Sequence, residues 1–148
     1  MAEDIMENYV DKNPDVQERF RKAGEIRRAM GIYGEGGQTT SDFLQISPAH
    51  TQTIMEYCFG MVWGQSERLD LKTREIIVLA TMVAQDLPGE LEWHVRSALN
   101  LGLTQEEIIE AIVQCSPYVG LPKTNHALRA AKRAFDAVEG KEPSDLGH

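Results

Sequence analysis

The sequence predicts an all-α fold, a single-domain helical bundle of roughly six or seven helices. Three observations predict it. Capping residues stand directly before prolines at Asn13-Pro14 and Ser47-Pro48, the signature of a helix start, because proline's missing N–H is free to be absent there. Apolar residues recur three and four positions apart, the spacing of a helix face. No alternating apolar run is flanked by hairpin turn residues.

Taken in order, Asn13-Pro14 opens a helix that runs to about Met30, where Gly31 ends it. The segment from Gly31 to Thr40 holds four glycines and reads as a loop. Ser47-Pro48 starts a second helix. In it Ile54, Tyr57, Cys58, Met61 and Val62 form an amphipathic stripe, with Gly64 as the stop. Asp70 caps a helix containing Thr73 to Ala84, which is apolar almost all round and is expected to be buried on every side, as a central helix or part of a subunit interface. Its β-branched residues also suit a strand, but the flanking segments favour a helix. Pro88 to about Leu101 follows, with Leu91, Val95, Ala98 and Leu99 as its apolar stripe. Thr104-Gln105-Glu106-Glu107 is a capping box; its helix is expected to stop near Pro117. Pro122 opens the last helix, which Gly140 ends, and the tail reads as frayed. Residues 1–18 are an N-terminal extension and the start of the first helix, 19–139 the domain, and 140–148 the tail.

Composition narrows the function. The 148 residues are 42% hydrophobic and 26% charged, with net charge −8, the profile of a water-soluble globular protein. That acidity argues against a nucleic-acid surface. Arg19, Arg21, Lys22, Arg27 and Arg28 cluster, but Glu18 and Glu25 are interleaved, so the group reads as a solvated helix face. No apolar run reaches about 18 residues, so no membrane span is expected. The first residues lack the apolar core of a secretory signal, and the expected location is the cytoplasm. Cys58 and Cys115 are far apart, form no CxxC, and read as buried reduced thiols. His50 and His126 are unclustered and no HExxH spacing occurs, so no metal is expected.

The stretch most like chemistry is Leu71 to Asn100. Glu75 heads its apolar run, and Glu90 and His94 lie one helical turn apart, on one face. Glu75 is expected in the first turn of its helix, where the dipole tolerates its charge.

The pieces EYCFGMVWGQSERLDLKTRE, ELEWHVRSALNLGLTQEEI and PYVGLP, in this order and spacing, resemble the carboxymuconolactone decarboxylase family, a branch of the alkylhydroperoxidase-like helical fold. The resemblance runs from Arg19 to Phe135, about four-fifths of the chain. It implies an all-α homo-oligomer, a trimer or hexamer, and removal of CO2 from γ-carboxymuconolactone to give an enol-lactone in aromatic-compound breakdown. The peroxidase branch of the fold has a Glu, a CxxC and a His four residues after the second Cys. On this chain that frame keeps Glu75 and His94 but places Leu87 and Glu90 where the thiols stand. The decarboxylase branch shares Glu90-Leu91 and His94; its members have a small residue where this chain has Glu75.

Such a decarboxylation must hold the leaving carboxylate, stabilise a dienolate and deliver a proton to carbon. Histidine suits the last task as the side chain that exchanges protons near neutral pH. The resemblance therefore casts His94 as acid/base, with Glu90 orienting it and Glu75 as a second carboxylate that relays or binds a proton. An anionic small-molecule substrate calls for a cation, Arg74 or Arg96; Arg96 also reads as an i,i+4 partner of Glu92. Trp63 and Tyr118 suit a pocket wall, and equally the core or an interface. Glu56 reads first as an interface or structural carboxylate and second as pocket wall. The rival functions are a peroxidase-like or disulfide-reductase activity, which needs the missing CxxC, and a non-catalytic oligomeric binding protein.

Overall fold

The structure, a computed structural model, describes residues 13–31, 43 and 45–142. Residues 32–40 of the loop read from Gly31 to Thr40, and most of the N-terminal extension and the tail, lie outside the described residues. The expectation of an all-α fold holds: every regular element among the described residues is helical. Contacts group the chain into two compact units that divide after Leu69.

The first unit contains α1 (Pro14–Ala29) and α2 (Pro48–Thr53), the latter running directly into a π-helical segment, Ile54–Trp63. Both predicted caps form. The Asn13 side chain accepts from the Asp15 N–H at 3.0 Å, and Ser47 Oγ accepts from the His50 N–H at 3.3 Å. The predicted stripe does not form. In the π segment and just beyond it the buried positions include Met55, Gly60 and Gly64, spaced five and four apart, while Tyr57, Met61 and Val62 are exposed in this chain. A π-helix bonds i to i+5, so its inward face repeats at a longer interval than the α pattern used to read the sequence. Gly60 seats this segment on α1, because a Cβ there would stand 2.6 Å from the Arg19 carbonyl oxygen.

The basic cluster on α1 also departs from expectation at one residue. Arg27 is buried, not solvated. Its Nη1 lies 2.7 Å from Met55 Sδ, and its guanidinium sits 5.4 Å from the Phe59 ring centroid. The planar, weakly hydrated guanidinium tolerates such a site better than an ammonium does. Arg19 donates from Nε and Nη2 to Glu56 Oε1, at 2.9 and 2.6 Å, and Gln52 donates to Oε2 at 3.1 Å.

The second unit contains α3 (Leu71–Gln85), α4 (Pro88–Asn100), α5 (Gln105–Val119) and α6 (Leu121–Val138). Asp70 caps α3 by accepting from the Thr73 N–H at 2.9 Å. The Thr104 capping box closes in both directions. Helix α5 does not stop at Pro117 but continues to Val119 and ends at Gly120, whose φ is +92°. Proline there forfeits one hydrogen bond in a last turn, whereas the positive φ ends the helix outright. The core gathers Leu79 and Val83 from α3, Leu91 and Val95 from α4, and Ile108 and Ile112 from α5. Helix α6 meets it with Ala127, Ala130, Ala131 and Ala134, small residues on one face that allow close approach.

Helix α3 is not buried on every side. Glu75, Leu79 and Val83 face inward, while Ile76, Ile77 and Ala84 are exposed in the single chain. The three other helices of its unit are too few to surround it.

The turn between α3 and α4 is held by the opening turns of α6. Lys123 Nζ donates to the Ala84 carbonyl at 2.7 Å, and His126 Nδ1 lies 2.8 Å from Asp86 Oδ1. A cation on the last carbonyls of a helix complements its dipole. Asp86 itself adopts φ +57°, a left-handed conformation aspartate tolerates. This clamp fixes the α3–α4 hairpin, which carries the chemistry described next.

Candidate active site

Helices α3 and α4 bring together two of the residues singled out from sequence. His94 Nδ1 lies 2.6 Å from Glu75 Oε1, although nineteen positions separate them. Glu75 is fully buried, with a side-chain exposure of 0%, and His94 keeps 18%. Glu75 Oε2 is buried without a hydrogen-bond partner. A carboxylate removed from water is costly unless it is paired, so the short contact to the ring is the principal compensation it has among the described residues. With Glu75 ionised, Nδ1 carries the hydrogen and donates it, which fixes the tautomer and leaves Nε2 as the nitrogen available to a substrate. No other hydrogen bond engages the ring among the described residues.

Two details differ from the sequence expectation. Helix α3 begins at Leu71, directly after the Asp70 cap, so Glu75 is its fifth residue and stands beyond the first turn in which it was expected. The helix dipole falls off within that turn, and the ring, not the dipole, is what faces the carboxylate. Second, Glu90 is exposed and makes no hydrogen bond to His94; the orienting contact expected of it is made by Glu75. The reason is that Glu75 offers Nδ1 a desolvated acceptor, where a charge-assisted bond is stronger than one to a hydrated carboxylate.

The remaining candidates are distributed as follows. Arg74 is half-buried beside Glu75 in sequence. Arg96 is exposed and donates to Glu92 Oε1 at 3.3 Å, while Arg133 Nε holds Glu92 Oε2 at 3.0 Å; the i,i+4 reading of Arg96 is the one that forms. Tyr118 is 82% exposed at the end of α5. Trp63 belongs to the first unit, where it is buried with its ring 6.2 Å from that of Phe59. Glu56 is held inside the first unit by Arg19 and Gln52, as a structural carboxylate, and with Tyr57 and Met61 it lines an open cavity of about 330 Å³. Gln52 and then Arg19 hold its carboxyl below the ordinary carboxylate range. The pairing of His126 with Asp86 had no signal in the sequence, since only the packing of α6 brings residues forty positions apart together.

Both thiols, expected to be buried, are half-buried. Both cysteines are free, one in each unit. Burial pushes the Cys58 thiol up, against a smaller opposing effect of Arg27, and burial pushes Cys115 up as well. The thiolate is the reactive form, and burial disfavours it at both positions. Among the described residues no group of three or more His, Cys, Asp or Glu is placed to hold a metal ion, and no helix is long and apolar enough to cross a membrane.

The family model of the carboxymuconolactone decarboxylase family matches residues 48–133, more than half of the chain. The chain is similar to the 4-carboxymuconolactone decarboxylase of Acinetobacter baylyi, 27% identical over 119 residues, covering 80% of this chain and 88% of that protein. It is also similar to a nitrosuccinic acid decarboxylase of Metarhizium robertsii, 32% identical over 90 residues, 61% of this chain and 62% of the relative. An uncharacterised 15.0 kDa protein of Paracoccus denitrificans is 34% identical over 100 residues, 66% of this chain and 73% of its own length.

Proposed function

The chain belongs to the carboxymuconolactone decarboxylase family, and we propose that it is a cofactor-independent decarboxylase in which His94 is the general acid and Glu75 positions it. The observation that carries this reading is the 2.6 Å contact between His94 Nδ1 and a fully buried Glu75 carboxylate. The two decarboxylases it resembles act, by their names, on 4-carboxymuconolactone and nitrosuccinic acid. Both compounds are small anions with an electron sink joined to the carbon that loses CO2: a conjugated lactone in one, a nitro group in the other.

The proposed step follows from that chemistry. The bond from carbon to the carboxylate breaks, and its electron pair passes into the lactone or nitro group as CO2 leaves. The proton on His94 Nε2 then goes to carbon: to the carbon that lost CO2 in the nitronate, and to the carbon next to the lactone carbonyl in the dienolate, which gives the enol-lactone. Throughout, Nδ1–H stays on Glu75 Oε1, so the ring keeps its orientation and the carboxylate offsets the positive charge of the doubly protonated ring. General acid catalysis of this kind contributes about 10² to 10⁴ in rate. Arg74, half-buried beside Glu75 in sequence, is the cation assigned to the substrate carboxylate, by charge complementarity. Glu90, exposed one turn before His94, is assigned the return of a proton from solvent to the ring.

The protein is proposed to work as a symmetric homo-oligomer, a trimer or hexamer, in the cytoplasm. The apolar residues exposed in the single chain, among them Ile77, Ile109 and Val113, are side chains that an interface between copies would cover. The functional test is CO2 release from 4-carboxymuconolactone and from nitrosuccinate, each above its protein-free rate. Release from at least one is expected, and release from neither removes this substrate class.

A further inference from the structure

We infer that the same His94–Glu75 pair catalyses proton exchange at activated C–H bonds with no loss of CO2, on small carboxylates whose carbon bears a nitro group or a vinylogous carbonyl. The inference rests on the decarboxylase reading and extends it to a second activity. A group that delivers a proton to a carbanion is also, by microscopic reversibility, a group that removes it. What matters is whether this pair can serve in both directions, and its geometry supplies the reason.

With one ring nitrogen held by Glu75 Oε1 at 2.6 Å, proton traffic to a substrate is confined to Nε2. Without a proton on Nε2, the pair holds one buried negative charge, on a carboxylate whose Oε2 has no hydrogen-bond partner among the described residues. That state is costly out of water. A proton arriving on Nε2 makes the pair neutral as a whole, so the pair in this state accepts a proton from carbon; with the proton present it returns one. In the exchange step the C–H bond breaks, its electron pair passes into the nitro group as a nitronate, and the proton moves to Nε2. The ring exchanges that proton with solvent through its exposed edge and gives back a solvent-derived one. Nothing is oxidised or reduced, and no carboxylate is lost.

The test uses the full-length protein and 3-nitropropanoate, the acid left when nitrosuccinate loses the carboxylate on its nitro-bearing carbon. In D2O the proton NMR signal of the nitro-bearing carbon should decay about a hundredfold faster than in buffer alone. Nitrosuccinate should suppress the exchange by competing for the site, and a folded His94→Gln variant should lose it. If that variant does not fold, the competition result decides. CO2 release from nitrosuccinate without accelerated exchange overturns the inference and leaves the decarboxylase reading standing. Exchange that persists in folded His94→Gln, or that ignores nitrosuccinate, also overturns it. Neither CO2 release nor exchange removes the decarboxylase reading and this inference together.

Discussion

At Glu75 a buried carboxylate meets a half-buried imidazole across two helices, and most of the functional argument concentrates there. Glu75→Gln keeps the volume and an acceptor oxygen but removes the charge. It should lower kcat about 10²-fold while leaving KM within a factor of about three, because the carboxylate acts on the ring and not on the substrate. Equal loss in a variant that no longer folds would be uninformative, so circular dichroism accompanies the kinetics; unchanged kcat in a folded variant sinks the positioning role. The thiols give the complementary expectation. Burial raises both Cys58 and Cys115, so the double variant Cys58→Ser, Cys115→Ser should decarboxylate as the wild type does. Peroxide consumption by the wild type that this variant loses would revive the thiol reading. The sequence offered three carboxylate and histidine candidates on this hairpin. It offered no means of choosing between Glu75 and Glu90 as the partner, because that depends on how α3 and α4 pair and not on spacing along either.

Among the elements, the π-helical segment marks where periodicity misled and caps did not. Asn13, Ser47, Asp70 and Thr104 all cap as their sequence context indicates, since a cap is decided within three residues. The face a helix buries is decided by its register, and the α rule picked Tyr57, Met61 and Val62 where the π register buries Met55 and Gly60. Gly60→Ala tests the seat directly. Its methyl would meet the Arg19 carbonyl oxygen at 2.6 Å, so urea denaturation should show a loss of about 1–3 kcal/mol, the usual cost of overpacking. No loss would mean that the helices separate there at little cost. The Arg19–Glu56–Gln52 array predicts an acid limb. Glu56 is held below the ordinary carboxylate range by Gln52 and Arg19. Its stabilisation is therefore present above the unfolded-state pKa of about 4.3 and is lost as pH falls through the lower folded value. Melting temperatures from pH 6 to 3 should fall less steeply for Glu56→Gln than for wild type; parallel curves would remove Glu56 from the acid response.

For the molecule as a whole, the all-α class and nearly every helix boundary could be read from caps, prolines and glycines, because these signals are local. The exposure of α3 could not, since an all-apolar helix looks the same in sequence whether it lies in a core or waits at a surface. Ile77, Ile109 and Val113 are exposed in the single chain, and the homo-oligomer proposed above accounts for them. Ile109→Asp with Val113→Asp should shift the protein to a smaller species in light scattering with its helix content kept. A wild type that is monomeric at micromolar concentration would contradict that proposal. Acid catalysis by His94 held by Glu75 is tested most sharply by CO2 release from saturating nitrosuccinate or 4-carboxymuconolactone by wild type and by folded His94→Gln. The account predicts release by the wild type and a rate about 10²- to 10⁴-fold lower in the variant. Equal rates in the two proteins would contradict it.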